Sequence, residues 1–174
     1  ERVAGDPRLV AATSAADLRR VDLGGGEGVP LLADVLDLCG TAGIGLNVEL
    51  KRDVPSRPAA VVAAARLLGG RRDVDVVVSS FDPWMLGAFA ALQPRIPRAQ
   101  LVHRSGYIAA HLAAGRAMRA VGLHLEASLW TAERVARLRP SRAWMAAWTV
   151  VDLAEARRLD TLGYASLGLV VLCH

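Results

Sequence analysis

Ile44-Gly45-Leu46-Asn47-Val48-Glu49-Leu50-Lys51 reads as an extended strand with two unlike faces. Side chains alternate along a strand, so Leu46, Val48 and Leu50 share one side and Asn47, Glu49 and Lys51 the other. In isolation this is an amphipathic strand whose polar side meets water. The neighbouring stretches change the reading. Val76-Val77-Val78 and Leu169-Val170-Val171-Leu172 are continuous apolar runs, as expected where a parallel sheet is covered on both faces. Charges on a strand beside them then point into a protected interior. Glu49 and Lys51 fall roughly 6–7 Å apart along that strand, close enough to share one anionic or metal-bound ligand.

Outward from this stretch a rhythm repeats. Strand Ile44 to Lys51 is followed by a helix over Pro58 to Leu68, strand Val74 to Ser79 by helix Pro83 to Leu92, and strand Ala99 to His103 by helix Ile108 to Met118. Strand Ala120 to Leu125 leads to helix Thr131 to Leu138, and strand Ala143 to Val150 to helix Leu153 to Leu162. A sixth strand runs through Leu167 to Leu172. Strands alternating with helices make a parallel α/β protein, either an open doubly wound sheet or a (β/α)8 barrel. Polar residues gather at or just after strand ends: Glu49 and Lys51, Ser79 and Ser80, His103 and Arg104, His124 and Glu126, Trp148 and Thr149. A ligand site assembled from many strand ends favours the barrel, and a whole barrel takes about 250 residues, so about the first two units are expected to be absent. Residues 1–174 are then one partial domain.

Upstream, Thr13 or Ser14 caps a short helix through Asp17, Leu18 and Arg19. Gly24-Gly25-Gly26-Glu27-Gly28 reads as a flexible linker, and Pro30 precedes a helix ending at Gly40. The glycine run lacks the preceding strand and following helix that a phosphate cradle needs.

Composition narrows the function classes. The chain has 174 residues, 53% of them hydrophobic, enough for one sizeable core. Its net charge of +4 and pI near 9.8 come from arginines scattered through helices, such as Arg66, Arg134, Arg137, Arg157 and Arg158. Without a dense basic block interleaved with aromatics, nucleic acid is not the expected partner. Lys51 is the only lysine. Cys39 and Cys173 sit in apolar contexts without metal-ligand spacing and read as core residues. There is no signal-peptide pattern and no apolar run of bilayer length, which favours a cytoplasmic setting.

Four stretches in order carry a resemblance: Val29-Pro30-Leu31-Leu32-Ala33-Asp34-Val35-Leu36, Leu46-Asn47-Val48-Glu49-Leu50-Lys51, Val78-Ser79-Ser80-Phe81-Asp82 and Ala147-Trp148-Thr149-Val150. Together they resemble the landmarks of the glycerophosphodiester phosphodiesterase family. That resemblance implies a (β/α)8 barrel that hydrolyses glycerophosphodiesters to an alcohol and glycerol 3-phosphate, usually with a divalent metal such as Mg or Ca. It implies Glu49 as a metal ligand, Lys51 as the phosphate contact and Trp148 as a substrate-pocket wall. It also places the family's His-Arg-Gly, Glu-x-Asp and His-Asp segments upstream of Glu1, so no acid–base histidine is expected in this chain, which alone would be inactive.

The chain departs from the family pattern at Leu31, where threonine is usual, at Val151, where asparagine is usual, and in Leu169 to His174, which lacks Thr-Asp. His124 shares the parity of the inner face and is a candidate pocket residue; Phe81 is packing or pocket wall. His103 is a weaker pocket candidate, His111 lies in a helix and His174 is terminal. No histidine spacing suits zinc, and no Gly-x-Ser-x-Gly turn suits a serine hydrolase. Two alternatives stand beside the metal-dependent enzyme: a non-catalytic phosphate-binding module or inactive relative, and a lipid phosphodiesterase barrel of phospholipase D type.

Overall fold

The computed structural model describes residues 5–103, 105–139, 143–150 and 152–162, and divides into two compact units, 1–45 and 46–174. The sixth strand expected over Leu167 to Leu172, with Val151, Cys173 and His174, lies outside the described residues.

In the first unit, α1 (Ala15–Leu18) begins where Ser14 accepts a hydrogen bond from the Asp17 amide at 3.1 Å. The glycine run is not a linker. Asp22 and Gly28 form an antiparallel bridge, and the Asp22 carboxylate accepts from the amides of Gly24 and Gly26 at 2.8 and 3.2 Å. Gly24, Gly25 and Gly26 all have positive φ, so they are there to close a tight turn. α2 (Leu32–Ala42) continues past Gly40, the residue expected to end it. Its stop is Gly43, left-handed at φ 65°. The Gly43 and Ile44 amides donate to Gly40 and Cys39 carbonyls, the paired bonds of a Schellman end. Ile44 is therefore spent on the cap, and the strand starts later than its sequence pattern implies.

The second unit alternates strands and helices: β1 (Leu46–Glu49), α3 (Arg57–Gly69), β2 (Val76–Ser80), α4 (Pro83–Leu92), β3 (Arg98–Val102), α5 (Ile108–Ala117), β4 (Gly122–Glu126), α6 (Ala132–Leu138), β5 (Trp144–Trp148) and α7 (Leu153–Thr161). All four strand pairings are parallel and the order is consecutive, β1-β2-β3-β4-β5. A doubly wound sheet reverses its strand order at a switch point. Among the described residues this one does not, which is consistent with part of a (β/α)8 barrel. The helix starts follow local chemistry: Ser56, Asp82, Thr131 and Asp152 each accept an amide hydrogen from the first turn they cap.

The registers assign the faces. Leu46, Val48, Val78, Val102, Leu123, Leu125 and Ala147 are buried on one face, the last four in one cluster with Ile108, Trp130, Val135, Leu138 and Leu159. Asn47, Glu49, Ser79, His124, Glu126 and Trp148 lie on the other face. The sheet curls toward that face. Phe81, just beyond β2, and Trp148, at the end of β5, meet with ring centroids 5.4 Å apart. On a flat sheet three strand spacings would hold them about 14 Å apart. No helix among the described residues is long and apolar enough to cross a membrane.

Candidate active site

Glu49 and Lys51 stand at the C-terminal end of β1. The Glu49 side chain is 4% exposed and Lys51 44%, and the ammonium lies 3.0 Å from Glu49 Oε1. The contact is an ion pair rather than a directed hydrogen bond: Oε1 has no hydrogen-bond partner among the described residues. A desolvated carboxylate beside a half-exposed ammonium leaves the ammonium free to reach an anion above the rim.

The rim around Lys51 is fastened from β2. Ser80 Oγ donates to the Leu50 carbonyl at 2.8 Å and accepts from the Asp82 amide at 3.0 Å. Asp82 caps α4 through the Trp84 amide and pairs with Arg57 at 3.0 Å; Arg57 also donates to the Arg52 carbonyl. The segment after β1 is thus tied to the segment after β2. The two adjacent serines split: Ser80 serves this backbone network, while Ser79 points to the inner face.

The inner face carries buried polar groups. The Asn47 amide, Ser79 Oγ and both His124 ring nitrogens are buried without hydrogen-bond partners. Such groups cost about 1–3 kcal/mol each when left unpaired, so this face is built to meet water, ligand or other polar groups. His124 is fully buried, edge-on to Trp144 at 5.0 Å, and burial pushes its pKa down to about 4. Its imidazole is therefore neutral at pH 7. Its carbonyl accepts from Trp148 Nε1 at 3.2 Å, which fixes the indole over β4. Phe81 packs edge-on against both Trp148 and His103, each at 5.4 Å. The residues singled out in the sequence thus occupy one rim: Glu49 and Lys51 at β1, and Phe81 with Trp148 across the curl. His124 lies beneath Trp148, out of reach of solvent.

As a metal donor, Glu49 fits in part. Its buried Oε1, free of hydrogen bonds, is a hard oxygen suited to Mg or Ca, but one carboxylate is a single ligand of the several such ions take. Among the described residues no group of three or more His, Cys, Asp or Glu side chains could hold a metal ion.

The sequence agrees with this geometry. The model of the glycerophosphoryl diester phosphodiesterase family matches residues 1–168. The chain belongs to that family. No curated protein matches it. Solved structures share the fold. A phosphodiesterase from Oleispira antarctica, in complex with the product sn-glycerol-3-phosphate, is 24% identical with a TM-score of 0.85, covering 95% of this chain and 70% of its own. A glycerophosphodiester phosphodiesterase from Parabacteroides distasonis is 19% identical (TM-score 0.68, 87% and 64%), and one from Agrobacterium tumefaciens 22% (0.64, 92% and 70%). The chain therefore spans about two thirds of the length of these neighbours, and the remainder of each has no counterpart in the 174 residues.

Proposed function

We propose that the chain supplies the phosphate-facing part of an enzyme that hydrolyses glycerophosphodiesters to an alcohol and glycerol 3-phosphate. The observation that carries this is the buried Glu49 paired with half-exposed Lys51 at the C-terminal rim of a curled parallel sheet, in a chain of this family. The product held by the Oleispira antarctica neighbour supports a small glycerophosphate ligand here.

Residues 1–174 are read as one partial (β/α)8 domain. Lys51 offsets the charge on a nonbridging phosphate oxygen as a compact point charge. Glu49 keeps that ammonium in place and serves as one ligand of a divalent cation, Mg or Ca. When bound, such a cation would neutralise phosphate charge and polarise the ester. Trp148 and Phe81 line the pocket on the alcohol side, with the Trp148 indole held by the backbone carbonyl of His124 and the His124 ring packed beneath the site against Trp144. Proton transfer to the leaving alkoxide belongs to histidines outside this chain, and the 174 residues alone are therefore inactive.

The test uses the complete protein with a glycerophosphodiester and Mg or Ca. Lys51→Ala should lower kcat/KM about 10²-fold, as for loss of one charge-stabilising group. Glu49→Gln should do likewise and weaken metal affinity by calorimetry, with unchanged circular dichroism. Full activity in both variants would sink the assignment. Binding of glycerol 3-phosphate without any hydrolysis would identify a phosphate-binding module instead.

A further inference from the structure

A cavity of about 230 Å³ lies between α5 and the first residues of β4 and β5, at the end of the sheet opposite the rim that carries Glu49 and Lys51. The reaction above makes no use of it. Leu112, Val121 and Ala143 give it apolar walls, and Arg116, in the last turn of α5, stands among them. Gly115 lets the helix come close to β3 beside it: a Cβ at that position would meet Gln100 Cβ at 3.2 Å. Gln100 is the buried polar wall, 1% exposed. Its Nε2 donates to the carbonyls of Ser80, Phe81 and Leu101 at 3.1, 3.2 and 3.1 Å. Acceptors gathered around one end of the amide require the NH2 group there, so its orientation is fixed by chemistry. Oε1 is turned away from them and is buried with no hydrogen-bond partner among the described residues. An acceptor left open on the wall of an apolar cavity calls for a donor.

The surrounding sequence is basic. From Pro83 to Leu125 the chain carries five arginines and neither aspartate nor glutamate. The volume exceeds the ~150 Å³ that holds a benzene ring, so it suits one ring with short substituents. We propose that this cavity binds a small monocyclic organic acid bearing a hydroxyl or amino group, which donates to Gln100 Oε1 while the carboxylate meets Arg116. The apolar walls take the ring and the two polar ends set its direction. The site is independent of the phosphodiesterase reading, yet an occupant sits one amide away from the rim. The other end of Gln100 holds the Ser80 and Phe81 carbonyls, and Ser80 in turn fastens the Leu50 carbonyl.

The probe is para-hydroxyphenylacetate, titrated into the complete protein while backbone amide resonances and the Gln100 side-chain NH2 are followed by NMR. Saturable shifts at Gly115, Val121 and Gln100 are expected, with a Kd of about 1 mM or below. Phenylacetate lacks the hydroxyl and para-hydroxyphenylethanol lacks the charge. Each should bind about tenfold more weakly, the scale of one lost hydrogen bond to a buried or charged group. Arg116→Gln should weaken the acid about tenfold and leave the uncharged alcohol within about twofold. Ala120→Leu, which fills the cavity from its wall, should abolish binding of every probe with unchanged circular dichroism. If that variant fails to fold, Arg116→Gln and the comparison among probes decide. No saturable shift at Gly115, Val121 and Gln100, equal affinity for all the probes, or shifts confined to the rim around Lys51 would overturn the proposal.

Discussion

His124 gives the chain a built-in sensitivity to acid. An imidazole ordinarily titrates near 6.5, and burial lowers this one to about 4. Between those values the unfolded chain binds a proton that the folded one refuses. The stability it contributes is therefore complete above pH 6.5 and is lost as pH falls toward 4. At 1.36 kcal/mol per pH unit the whole shift is worth about 3 kcal/mol, of which about 2.5 kcal/mol is already gone at pH 4.5. The measurement is urea denaturation at pH 7.5 and pH 4.5 of the unaltered protein and of His124→Leu, which fills the same space without a titrating group. Subtracting the two pH dependences removes the contribution of carboxylates common to both. The unaltered protein should lose about 2.5 kcal/mol more than the variant. Parallel losses, or an imidazole resonance of His124 titrating near 6.5, would refute the reasoning.

Two further substitutions probe the scaffold. Leu31 is the N-cap of α2, and only half of a capping box is present, the Leu31 amide donating to Asp34 at 3.2 Å. Leu31→Thr adds the missing acceptor and should raise stability by about 0.5–1 kcal/mol in urea or thermal melts; no gain would mean the cap is already satisfied. Gly122 opens β4 beneath Trp144: a Cβ there would meet Trp144 Cε3 at 2.9 Å and Ala99 Cβ at 3.0 Å. Gly122→Ala should cost about 1–3 kcal/mol and shift the tryptophan emission, whereas an unchanged urea midpoint would show that the indole yields freely.

Much of this architecture was written locally. Apolar runs mark β1 and β2, capping residues mark α1, α3, α4, α6 and α7, and the inner parity of Glu49, His124 and Trp148 follows from period-two alternation once one strand is placed. Two glycine readings went astray because glycine alone does not declare its role. Gly40 sits inside α2 while Gly43 ends it, and Gly24 to Gly26 form a turn whose organiser, Asp22, precedes them. The long-range partners carried no local signal at all. Ser80 with Leu50, Arg57 with Asp82 and Arg158 with Ala127 lie 25–31 residues apart, and nothing in the local sequence names either partner of a pair. Arg98 is similar: a charged residue that opens a strand, it is buried with its guanidinium on the Arg119 and Pro94 carbonyls.

The Phe81–Trp148 contact also acts mechanically. Backbone hydrogen bonds between strands fix their spacing and register but leave the bend of the sheet soft, so an open set of parallel strands can flatten at little cost to its ladder. Two rings wedged edge-to-face between β2 and β5 make a strut across the mouth, and the mouth can widen only by parting them. The indole is itself anchored to the β4 backbone, so the strut pushes on three strands at once. The residues that would touch the alcohol of a substrate therefore also hold the opening at a set width, and a change that enlarges the pocket by trimming either ring relaxes the curvature that brings both ends of the rim together.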